Sequence, residues 1–104
     1  MSDAIKQALV ASILRVRKRF DVPGPWRDWA DDVAAGENIP AAQIYGPAAW
    51  AAAHAQNGPE DQQPLARAAQ CVASAALQHA IHGAAADTAV MAAIGIVDLE
   101  LTDQ

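Results

Sequence analysis

The sequence predicts an all-α fold: a small, alanine-rich bundle of about four to five helices in a single domain over residues 1–104. Three observations carry that expectation. Apolar residues recur every three or four positions, the period of a helix with one face on a core. Proline and glycine cluster at 23–25, 46–47 and 57–59 and cut the chain into helix-length pieces. Alanine, the strongest helix former, fills much of the chain from position 41 onward. The 53% hydrophobic content is therefore modest in buried area, the larger apolar side chains being three Trp, one Tyr, one Phe and scattered Ile, Leu and Val. A chain of this length buries about two thirds of its unfolded surface. Thin helical cores are commonly completed by self-association, so a homodimer is expected.

Helix one begins at Ser2, a good N-cap, with Asp3 in its first turn. Ile5, Leu9, Ile13, Val16 and Phe20 form its wide apolar face, and Val10 and Leu14 a second, narrower one that calls for another neighbour. Arg15, Arg17, Lys18 and Arg19 close it where the carbonyl end favours cations. Pro23-Gly24-Pro25 then breaks the chain, and Pro25 suits the first turn of a second helix. Trp26, Trp29, Ala30 and Val33 are its apolar stripe, Asp28, Asp31 and Asp32 face away, and Gly36 ends it as a left-handed cap. Pro40 opens a short turn carrying Ile44 and Tyr45. Gly46-Pro47 starts a helix to Gln56 with Trp50 and His54 one turn apart on one face. Asn57-Gly58-Pro59 reads as a loop, and the polar stretch to Pro64 as the most flexible internal segment.

Residues 64–82 give a helix with Leu65, Ala69, Val72, Ala76 and Ala80 on one face and Arg67, Cys71, Ser74, Gln78 and His82 on the other. Gly83 ends or kinks it. A last helix runs to about Glu100 on Val90, Ile94, Val97 and Leu101. The alternation in "IGIVDLEL", residues 94–101, makes a short C-terminal extended segment the competing expectation.

The net charge of −5 is unevenly spread: five of the seven basic residues lie in the first 20 positions, making a basic helix on an acidic body. The single cysteine, Cys71, excludes an internal disulfide and points to a reducing compartment. Asp3 and Lys6 disrupt any signal-peptide pattern. No uninterrupted apolar run approaches the ~18 residues of a membrane span. A bacterial-type cytoplasmic protein without membrane contact is expected.

The basic run lacks interleaved aromatics and sits on an acidic chain, so no direct nucleic-acid binding is expected; pairing with Asp21, Asp28, Asp31 or Asp32 accounts for it better. Cys71, His79 and His82 share one helix. His79 projects with Val72 and Ala76, while Cys71 and His82 lie on the other face, so four converging zinc ligands are not met and neither metal nor cofactor is expected. His79 is instead a half-buried histidine whose surroundings make it a candidate pH-sensitive group. No nucleophile–base–orienter set converges, and no phosphate-binding or hydrolase motif is present, so catalysis is not expected. The tryptophans fit a core stripe, yet Trp is also enriched in binding hot spots. Val10, Leu14, Arg17, Phe20, Trp26, Trp29 and Trp50 are therefore the candidate partner-binding residues.

Residues 48–86, with "AAWAAAHAQ" and "ARAAQCVASAALQHAIHGAA", resemble alanine- and histidine-rich helical immunity proteins of bacterial toxin systems. The resemblance covers under half the chain, contains no specific motif, and implies a binding protein without assigning any residue a role. The expected function is a non-enzymatic intracellular regulator that binds a protein and blocks its assembly or activity, of the antiactivator, toxin-immunity or anti-defence kind. The alternative is an acidic mimic of nucleic acid, using aspartates 28, 31, 32, 61, 87, 98 and 103 against a DNA-binding protein. A small metal protein or enzyme is the distant third.

Overall fold

The computed structural model describes the backbone of residues 2–103 and the side-chain surroundings of residues 4–102. The expected Ser2 cap and the Asp3 and Asp103 side chains fall outside the latter range. Five α-helices follow one another, with no strand among the described residues: α1 (Ser2–Arg19), α2 (Pro25–Ala34), α3 (Tyr45–Asn57), α4 (Gln63–His82) and α5 (Asp87–Asp103). Short 3₁₀ turns at Ala41–Gln43, Glu60–Gln62 and Gly83–Ala86 join the later helices. The C-terminal extended segment is thus corrected: residues 94–101 are helical. Their alternation arises because α5 is apolar on two faces, which imitates a strand pattern over a short window.

Helix α4 is the axis, packed against α1, α3 and α5, while α2 packs on α1 and α3. Its buried residues are Ala66, Ala68, Ala69, Val72, Ala73, Ala75 and Ala76. Seven small side chains on three sides of one helix let three neighbours come close, which a leucine-lined helix would hold off. The expected single apolar face is corrected accordingly. Ala68 and Ala75 on the presumed polar side are buried and Cys71 is half-buried, because α5 covers that side; Ala80 is exposed. Around this alanine core the larger residues come from α1 (Leu9, Ile13, Val16, Phe20) and α5 (Val90, Ile94, Val97, Leu101), on the expected stripes. The α1 stripe also carries Ser12, fully buried with its Oγ unpartnered.

The Pro-Gly-Pro corner is an aromatic junction. Phe20 meets Trp26 edge-on at 5.6 Å, His54 edge-on at 5.5 Å and Trp50 at 6.0 Å between ring centres. Trp50 and His54 stack at 5.1 Å and 19°. Trp26 is fully buried and donates its indole N–H to the Ala69 carbonyl of α4 at 2.9 Å. Gly24 is required by close approach: a Cβ there would lie 2.6 Å from the Trp50 ring. Helix α2 ends in a Schellman motif, with Gly36 at φ +79°, its N–H on the Val33 carbonyl and the Glu37 N–H on that of Asp32.

The stretch to Pro64 is shorter and better tied than a flexible loop. Helix α4 begins at Gln63, His54 Nε2 lies 2.9 Å from Gln62 Oε1, and Gln63 Nε2 donates to the Gly58 carbonyl. The helical run Glu60–Thr102 holds an 18-residue window of mean hydropathy 1.6, long and apolar enough by composition to cross a membrane; 22% of that window is buried. That run is no straight rod, because it turns at Gly83 (φ +57°) and α4 packs on α5.

Gly24→Ala is expected to lower the unfolding free energy by about 1–3 kcal/mol, because a methyl group must displace Trp50. Gly95→Ala, mid-helix with open space around it, is expected to raise it by about 0.5–1 kcal/mol. Urea unfolding of the two variants reads both signs; a neutral Gly24→Ala would contradict the close contact.

Candidate functional site

The candidate residues separate by burial. Phe20, Trp26 and Trp29 are 1%, 0% and 4% exposed, so they are core groups whose rings no partner reaches in this conformation. Two tryptophans three apart on an amphipathic helix fill the junction, because the thin core has few other large side chains. Trp50 is partly buried in its stack with His54. Val10 is partly buried, and Leu14 keeps surface exposure.

Arg17 is engaged within the chain. Its guanidinium donates to Asp31 at 2.9 Å and to Asp21 at 3.0 Å, tying the end of α1 to α2, and Arg27 also donates to Asp21. The hydrogen bond to Asp31 holds the Arg17 pKa above its ordinary value, and the Arg27 hydrogen bond holds Asp21 below its own. The expected pairing of the basic run with Asp21 and Asp31 is present. Two further partners lie on α5: Arg15 pairs with Asp98, and Arg19 donates to the Leu101 carbonyl. These pairs place α1 and α5 parallel and neutralise the carbonyl end of α5. They also engage Asp31 and Asp98, two of the carboxylates that a phosphate mimic would need free.

His79 is half-buried as expected, with Nδ1 unpartnered, and lines a groove with Trp29 and Val10. His82 is exposed at the end of α4. Cys71 lies in a shallow depression of about 330 Å³ between α4 and α5, beside Arg67, Ser74 and Gln78, with its Sγ 3.7 Å from the Ala93 carbonyl. Among the described residues no three His, Cys, Asp or Glu side chains are grouped to hold a metal ion. Burial pushes the Cys71 thiol up, away from the thiolate that nucleophilic chemistry requires.

The surface that sequence reasoning missed is the outer side of α5. Met91, Ile96 and Leu99 are 48%, 56% and 69% exposed, with Ala92 and Gly95 between them, on the side away from the buried Val90, Ile94, Val97 and Leu101. The signal was available, because the search for a second apolar face that singled out Val10 and Leu14 on α1 also finds positions 91, 92, 95, 96 and 99 on α5.

Comparisons with known protein families, curated proteins and solved structures gave no match. The functional reading therefore rests on the geometry alone.

Because the folded thiol pKa is raised, Cys71 contributes its full stability below the ordinary thiol pKa of about 8.5 and loses it as pH climbs, since the unfolded chain ionises first. The urea midpoint of the native protein is expected to fall more steeply than that of Cys71→Ala between about pH 8 and pH 10. Parallel slopes would show that the thiol is not desolvated.

Proposed function

We propose that this chain is a non-enzymatic regulator that binds a protein partner through the outer face of α5 and blocks that partner's assembly or activity. An antiactivator, an immunity protein or an anti-defence inhibitor would each work this way. The observation that carries the reading is the exposure of Met91, Ile96 and Leu99 on one helix face. Scattered exposed apolar residues are ordinary, but an aligned group on one element is a recognised mark of an interaction surface. Ala92 and Gly95 lower the surface between the three large side chains, so a partner helix can lie close and interdigitate with them.

Asp98 and Glu100, paired with Arg15 and Arg67, flank the stripe and form a polar, charge-compensated rim of the kind that surrounds apolar interface centres. Binding of this type blocks by occupation: where the partner assembles through its own helices, the α5 face competes for the same apolar surface. The expected homodimer would use this face as well, and a second copy of the chain is then the competitor that the partner displaces.

The test introduces charge at the exposed positions, where folding has least to lose. Ile96→Glu/Leu99→Glu is expected to keep the native helical circular-dichroism signal. It is also expected to lose a specific protein retained by the native chain from its own lysate through a high-salt wash. Retention of the same protein by the double variant would overturn the α5 assignment. Release of the partner by salt alone would favour charge recognition over apolar occlusion.

A further inference from the structure

We infer that α5 pairs with α5 of a second copy of this chain, antiparallel and centred on Gly95, and that this two-fold dimer covers the binding face until a foreign partner takes it. The inference rests on the reading of α5 as an interaction surface and names one occupant with one orientation.

The outer face of α5 is uneven along its length. Its first half exposes the small residues Thr88, Ala89 and Ala92, and its second half exposes Ile96 and Leu99, at 56% and 69%. Gly95 lies at the border, with open space where a Cβ would stand. Met91 is seven residues before Asp98, so it stands with Asp98 on one edge of the face and not along its middle. An antiparallel copy sets Leu99 of each chain over Ala92 of the other, and Ile96 beside Gly95. Bulk then meets hollow in both halves, and the two contacts are identical by symmetry, as a self-complementary patch requires. A parallel copy sets leucine against leucine at one end and holds the axes apart where alanine faces alanine.

Charge selects the same occupant and the same orientation. The flanks of α5 are compensated within the chain, by Arg15 on Asp98 and Arg67 on Glu100. The two ends are not. Lys18 and Arg19 share a groove with Leu101 and Thr102 at the C-terminal end, and neither pairs with a carboxylate among the described residues; Arg19 meets only the Leu101 carbonyl. Asp87 in the first turn pairs with no basic group among those residues. An antiparallel copy brings the cationic end of each chain alongside the end where Asp87 of the other stands, and it opposes the two helix dipoles head to tail. A parallel copy gathers the cations of both chains at one end and both Asp87 carboxylates at the other. One helix face per copy lies at the low end of specific interface areas, so the dimer is expected to dissociate at about 1–100 μM.

The first measurement is the light-scattering mass of the purified protein from about 1 μM to about 500 μM, a range that spans this dissociation constant. The mass is expected to rise from one chain to two. Ala92→Glu, at an exposed position, is expected to keep the helical circular-dichroism signal and to stay monomeric throughout. Orientation is read in a Cys71→Ala background with a short bismaleimide. A Thr88→Cys chain mixed with a tagged Thr102→Cys chain is expected to give the mixed cross-link, and Thr102→Cys alone to give little. A native chain that stays monomeric over the whole range overturns the inference. So does a dimer that survives Ala92→Glu, since another face then forms it, and so does preferential cross-linking of Thr102→Cys to itself. A monomeric native chain that still holds a lysate protein through Ile96 and Leu99 would leave the α5 reading standing without this occupant.

Discussion

The indole of Trp26 donates its N–H to the backbone carbonyl of Ala69, and that bond joins the corner after α1 to the middle of α4. Around it Phe20, Trp50 and His54 close the junction of α1, α2 and α3. A fully buried indole without an acceptor would carry a desolvation penalty of about 1–3 kcal/mol. The corner therefore has one well-satisfied arrangement, in which α2 lies against α1 and α3 with Trp26 aimed at α4. Gly24 permits it by leaving room for Trp50, and Pro25 by opening α2 immediately beyond.

The arrangement also sets how the remaining apolar side chains are distributed. Helix α4 presents small residues on three sides, so it brings helices together without filling much volume itself. The volume is filled by aromatic groups at one end and by the aliphatic stripes of α1 and α5 along the length. What is left over has two consequences. Large side chains on the far side of α5 have nothing to pack on, which is the surface proposed for a partner. Where α1, α2 and α4 meet, Ala76 and Ala80 line a groove in place of a filled core.

The alanine make-up of α4 also explains what was legible in the sequence. The stripes of α1 and α2, the Pro-Gly-Pro corner, the Gly36 cap and the Trp50–His54 pairing were readable, because large residues and strong breakers leave local patterns. The burial of α4 on three sides was not, since a run of alanines has almost no contrast between faces, and Cys71 was consequently placed on an open side. Helix α5 carried the opposite difficulty: apolar on two faces, it imitated an alternating strand at 94–101 and hid its outer stripe. Trp26 with Ala69 and Arg15 with Asp98 join residues 43 and 83 positions apart, which no local period encodes. The groove was invisible for the same reason, as three helices build it.

The dependence of the bundle on the aromatic corner is tested most directly by hydrogen exchange of the Trp26 indole N–H, followed by NMR in the native state beside the slowest backbone amides of α4. Exchange with the same free energy as global unfolding is expected, because Trp26 is fully buried and bonded to the central helix. Exchange through a local opening far less costly than global unfolding would mean that the corner detaches while α4 stays folded. The bundle would then not depend on this contact.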